Sequence, residues 1–121
     1  MTESPVSVPA SATIDEAGII MQEQGVRHLP VVEAGHLVGV LSDRDLVRSF
    51  GSKYSALTRV EEVMTKDPFH VTPETDLLKM LEIMSHNKIG CAVVKNQGGQ
   101  VVGIFTSTDA IELLCKLLHR Y

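Results

Sequence analysis

Two short clusters carry residue types that could do chemistry: Gly39…Ser42…Asp45 and Gly103…Thr106…Asp109. Each has the form Gly-h-h-[Ser/Thr]-x-x-Asp, with h apolar, and each lies where a strand pattern gives way to a helix pattern. The first N–H groups of a helix have no intrahelical partner, and with the helix dipole they favour an anion such as a phosphate. A carboxylate one turn in can accept two hydrogen bonds from a vicinal diol of the ribose type. The same spacing also makes a plain capping box, in which hydroxyl and acid close the helix start on each other without any ligand. Residue types alone leave both readings open.

Other chemistries find less support. An enzyme needs a reactive group beside an activating neighbour. The two thiols lie in apolar runs, Cys91-Ala92-Val93-Val94 and Leu113-Leu114-Cys115, where burial is the ordinary outcome. No carboxylate pair stands at motif spacing, and Gly98-Gly99 reads as a hairpin turn, so the chain is read as a non-enzyme. His28, His36, His70, His86 and His119 show no metal-ligand spacing, and the cysteines form no CxxC. With a formal charge of −4 and no Lys/Arg run, the chain lacks the cationic surface that nucleic acid requires. No signal peptide or membrane span is visible, and a cytoplasmic location is expected.

The elements that position these clusters come in two copies. Met1 aligns with Met64 at an offset of 63, which also aligns Thr2 with Thr65, Pro5 with Pro68, Val8 with Val71, Met21 with Met84 and Val31 with Val94. One extra residue in the Asn96–Gln100 turn shifts the offset to 64, matching Gly35 with Gly99, Gly39 with Gly103 and Asp45 with Asp109. Such self-similarity marks a repeat architecture.

Each copy starts extended. A helix follows, with its apolar stripe at 0, 3, 4, 7 spacing: Ile14, Ala17, Gly18 and Met21, then Leu77, Met80, Leu81 and Met84. Thr13-Ile14-Asp15-Glu16 is a capping-box pattern and Gly25 suits a left-handed C-cap. Strands are expected at Leu29–Val32 with Leu37–Leu41 and at Cys91–Val94 with Val101–Phe105, each pair a hairpin. A second helix begins at Ser42 or Thr106. The fold class is therefore α/β (α+β), a tandem β-α-β-β-α unit: repeat 1 over 1–50, a linker over 51–62, and repeat 2 over 63–121. With only 4% aromatic residues the core is aliphatic. The last helix is apolar on two stripes, more than one buried face requires, so part of it is expected to pack on another element or another chain.

The joint recurrence of Val63-Met64-Thr65-Lys66-Asp67-Pro68, Gly25-Val26-Arg27-His28-Leu29-Pro30-Val31-Val32, Leu37-Val38-Gly39-Val40-Leu41-Ser42-Asp43-Arg44-Asp45-Leu46 and Val102-Gly103-Ile104-Phe105-Thr106-Ser107-Thr108-Asp109 resembles the CBS-domain (cystathionine β-synthase domain) pair, or Bateman module, over nearly the whole chain. That resemblance implies repeats packed about a pseudo-twofold axis, with two clefts for adenosine-containing ligands: AMP, ADP, ATP or S-adenosylmethionine. It implies no required cofactor, a homodimer, and regulation of an attached or associated enzyme or transporter. By the same resemblance Asp45 and Asp109 grip ribose. Thr65, His70 and the Ile89–Cys91 backbone are assigned to adenine in the second cleft, with Thr106 and Thr108 at its helix start. Thr2, Ser7 and the Val26–His28 segment are assigned to the first, where Arg44 could serve the phosphate. His28, with Arg27 adjacent, is expected to reach the second cleft's phosphate, giving tighter binding at Thr106/Asp109. A ligand-free dimerisation scaffold is the alternative.

Overall fold

The computed structural model describes residues 2–49 and 57–119, with only the backbone of Thr2. Two four-stranded sheets carry four helices. In the first sheet β2 (Val8–Pro9) runs parallel to β3 (His28–Glu33), and β4 (His36–Ser42) runs antiparallel to β3. Its fourth strand, β5 (Thr65–Lys66), pairs antiparallel with β4. The second sheet repeats this plan with β6 (His70–Val71), β7 (Cys91–Lys95) and β8 (Val101–Thr106). Its fourth strand is β1 (Thr2–Glu3), which pairs with β8.

Each sheet thus borrows its edge strand from the start of the other repeat. Two compact units result: Pro5–Pro68 in one, the N-terminal strand with residues from Phe69 onward in the other. The unit boundaries follow this exchange and not the repeat boundaries read from sequence. Residues 50–56 of the expected linker lie outside the described residues. Within the rest of that linker Val60 is buried and opens a 3-10 turn over Val60–Glu62.

The helices form where periodicity places them. Helix α1 (Ile14–Gln24) buries Ile14, Ala17 and Met21, and α3 (Leu77–Asn87) buries Met80 and Met84. Thr13 Oγ1 accepts from Glu16 N–H at 3.1 Å, and Asp76 Oδ2 accepts from Lys79 N–H at 3.1 Å. Glu16 does not complete the expected box; its side chain stays exposed and makes no hydrogen bond among the described residues, beside the bridge between Thr13 and Arg59. Both helices end left-handed, at Gly25 (φ 65°) as expected and at Lys88 (φ 55°), where Val26 and Ile89 N–H close the turn on Met21 and Met84 C=O. Leu29, Val31, Leu41 and Val60 lie in the larger core cluster; Met80, Met84, Ala92 and Phe105 form the smaller. Helix α4 (Ser107–Leu118) has no buried residue, and Ile111, Leu114 and Leu118 are exposed.

Candidate functional site

Both Gly-h-h-[Ser/Thr]-x-x-Asp clusters stand at a strand-to-helix junction, at the starts of α2 (Asp43–Ser49) and α4. Asp45 Oδ2 accepts from Ser42 N–H at 2.8 Å while Ser42 Oγ accepts from Asp45 N–H at 3.2 Å. Asp109 Oδ2 accepts from Thr106 N–H at 2.9 Å, and the Thr106 hydroxyl lies 3.4 Å from the same oxygen. The capping box is therefore real in both copies. It uses one oxygen of each carboxylate; Oδ1 of Asp45 and of Asp109 makes no hydrogen bond among the described residues. Both acids are half-buried, and the remaining oxygen of each is left as an acceptor.

Gly39 has a packing reason. A Cβ there would come within 2.5 Å of Met64 Sδ and 2.9 Å of Thr65 O, because β5 crosses close over β4. Only glycine lets the borrowed strand approach.

The strand before each helix start is tied to it. Asp43 N–H donates to Arg27 C=O at 2.9 Å, and Ser107 N–H to Gly90 C=O at 3.0 Å. With Val26 and Ile89 N–H committed to the helix C-caps, the groups left without a partner among the described residues are the carbonyls of Val26 and Ile89 and the N–H groups of Arg27 and Gly90. Each copy thus presents one acceptor beside one donor, a pairing an amino-heterocycle can satisfy edge-on.

His28 lies opposite Ser42 in the strand register. Burial lowers its pKa below the ordinary value, against the opposing pull of Asp43 and Asp45. That direction favours the neutral imidazole at pH 7 in the ligand-free protein. It sits beside the Ser42/Asp45 start of its own sheet. Its counterpart Cys91 lies opposite Thr106; burial, and secondly the charge of Asp109, push that thiol up to about 12.

Strand exchange decides which sheet each edge strand joins. Thr65 pairs with Val40, two residues before Ser42, so it belongs to the sheet of Asp45; Thr2 pairs with Ile104, two before Thr106, on the sheet of Asp109. His70 stays opposite Val93 in the second sheet, and Ser7 precedes β2 of the first. Arg27, Arg44 and Thr108 are exposed. Among the described residues no cluster of three His, Cys, Asp or Glu could hold a metal, and no helix is long and apolar enough to cross a membrane.

A profile of the CBS domain matches residues 1–52 and again 60–116. The chain belongs to the CBS-domain family. Among its relatives is inosine-5'-monophosphate dehydrogenase of Korarchaeum cryptofilum (strain OPF8), 34% identical over 104 residues, 86% of this chain but 21% of that protein. The chain spans about a fifth of the length of such curated relatives. Two solved CBS structures carry adenosine compounds. The CBS-domain pair of protein MJ0100, in complex with 5'-methylthioadenosine and S-adenosyl-L-methionine, superposes with a TM-score of 0.86 at 26% identity, over 93% of each chain. CBSX2 in complex with AMP gives 0.83 at 26% identity, over 97% of this chain and 93% of that one. The mixed α/β fold of two small sheets and four helices is that of CBS-domain pairs.

Proposed function

We propose that this CBS pair is a regulatory module that binds an adenosine-containing ligand, AMP, ADP, ATP or S-adenosylmethionine, at its two helix starts, and performs no catalysis itself. The observation that carries the proposal is the half-used carboxylate. In both copies one oxygen of Asp45 or Asp109 holds the helix closed, leaving the other to accept from ribose hydroxyls. The unpartnered carbonyl and N–H at Val26-Arg27 and at Ile89-Gly90 suit the amino group and ring nitrogen of adenine, and the helix N-terminus suits a phosphate. AMP in CBSX2, and 5'-methylthioadenosine with S-adenosylmethionine in MJ0100, support the ligand class.

The two starts are inequivalent, one flanked by Arg27 and His28, the other by Gly90 and Cys91. We group Thr2 with Asp109 and Thr65 with Asp45; tighter anion binding at Asp109 is proposed from the family resemblance alone, since Arg27 and His28 flank the Asp45 start. The exposed Ile111, Leu114 and Leu118 stripe of α4 supports a homodimer. The regulated partner is an enzyme or transporter, and free thiols at Cys91 and Cys115 support a reducing cytoplasmic setting.

Thermal melts with AMP, ADP, ATP and S-adenosylmethionine test the class, and titration calorimetry of Asp45→Ala and Asp109→Ala tests the site. A rise in melting temperature with at least one ligand, and a larger affinity loss from Asp109→Ala, are expected. No shift with any of the four would leave a dimerisation scaffold as the better reading, and equal losses would remove the ranking.

A further inference from the structure

At the start of α3 the second unit opens a groove of about 400 Å³ whose lining includes Pro73, Thr75, Leu77, Met80, Phe105 and Leu113. Sixty-three positions earlier, the corresponding residues of the first repeat are Ala10, Ala12, Ile14 and Ala17, all buried. A chain segment covers them there. Val60 is 0% exposed and packs in their cluster. Ile14 N–H donates to Thr58 C=O at 2.8 Å, Val60 N–H to Ala12 C=O at 2.7 Å, and Glu61 N–H to Ala10 C=O at 3.1 Å, around the Thr13–Arg59 bridge.

The second repeat keeps the same backbone socket. Thr75 N–H bonds Thr72 C=O at 3.1 Å just as Ala12 N–H bonds Pro9 C=O at 3.1 Å. Yet Leu77 N–H and the carbonyls of Pro73 and Thr75, the counterparts of the three groups that hold the segment in repeat one, meet no partner among the described residues. Leu77 is 44% exposed where its counterpart Ile14 is 4% exposed. One socket is filled by peptide; the other offers the same main-chain donor, two acceptors and an apolar floor.

We propose that this groove docks a peptide segment of a partner protein shaped like residues 58–62 in repeat one: a short bridged entry and then a 3-10 turn that inserts one β-branched anchor residue. Main-chain pairing supplies affinity and the anchor pocket supplies selectivity. Asp109 also borders the groove, so the two readings are told apart at Leu77, which lies in the groove and has no part in the nucleotide reading.

The probe is a fluorescently labelled peptide with the sequence of residues 57–64, titrated with the full chain and followed by anisotropy. Saturable binding in roughly the micromolar range is expected, weakened about tenfold or more by Val60→Asp in the peptide and by Leu77→Asp in the protein. Leu77 is exposed enough for that variant to fold, and a melt of the variant checks it. No saturation up to about 1 mM overturns the proposal. So does equal binding of the Val60→Asp peptide, or unchanged binding to the Leu77→Asp chain, which would put the peptide on repeat one. Self-association of the chain that Leu77→Asp abolishes would give the groove to a second copy and overturn it equally.

Discussion

Replacing Asp109 by alanine and, separately, by asparagine separates its capping duty from the ribose contact proposed for it. In the ligand-free chain the carboxylate closes the α4 start through a 2.9 Å bond from Thr106 N–H. Losing a capping acceptor at a half-buried position costs about 1 kcal/mol, or roughly 4 °C in melting temperature for a chain of this size. Asparagine keeps an acceptor oxygen for Thr106 N–H, so Asp109→Asn should retain most of the ligand-free stability. It loses the negative charge and replaces the second acceptor by an NH₂ donor, which faces ribose hydroxyls poorly. A ligand at 100 times its dissociation constant adds roughly 2.7 kcal/mol, about 10 °C on the same scale. Differential scanning fluorimetry with and without AMP should therefore show Asp109→Ala melting lower and gaining less from AMP than the parent. Asp109→Asn should melt near the parent in the absence of AMP and yet gain less from it. An undiminished AMP gain in both variants would refute the role of the second carboxylate oxygen.

The remaining expectations are briefer. Because the folded pKa of His28 lies below that of the unfolded chain, the unfolded state binds more protons in the window below about 6.5. Stability is then full above that pH and declines as pH falls towards the folded value; denaturant melts from pH 7.5 to 5 should show a decline that His28→Gln lessens, and an identical profile in the variant would remove His28 as its source. Cys91, buried and held up to about 12, should resist thiol reagents at pH 8, while exposed Cys115 reacts. One equivalent labelled in the native protein and two after denaturation is expected, and two native equivalents would contradict the burial of β7. Gly39→Ala should destabilise the first unit markedly, since its methyl would collide with Met64 Sδ and Thr65 O. A melting temperature equal to the parent's would mean that β5 does not lie against β4 as described.

Much of this fold is written in local pattern. The strands around Leu29–Val32 and Cys91–Val94, the helix stripes through Met21 and Met84, and the glycine C-cap at Gly25 each follow from periodicity or a single backbone requirement. What the pattern does not contain is which sheet a two-residue strand joins. Thr2–Glu3 and Thr65–Lys66 are too short to carry an alternating signature, and their pairing is decided by long-range closure. Hence nothing local in the sequence places Thr65 on the sheet of Asp45. The Lys88 C-cap was hidden for a different reason: a left-handed lysine costs about 1 kcal/mol and carries no sequence mark. The protonation of His28 depends on how deeply the β3–β4 pair buries it, a property of packing and not of spacing.

The exchange itself has a matched signature in the backbone. Ser4 (φ 46°) and Asp67 (φ 52°) both occupy the left-handed region, and each sits directly after an exchanged strand and directly before a proline. Two non-glycine residues held at positive φ at equivalent places are maintained by what surrounds them; here each turns the chain out of one sheet and into the other unit. The consequence bears on regulation. The strand bordering Thr106 and Asp109 comes from the start of repeat one, and the strand bordering Ser42 and Asp45 from the start of repeat two. Whatever stabilises either helix start also stabilises a sheet assembled from both repeats.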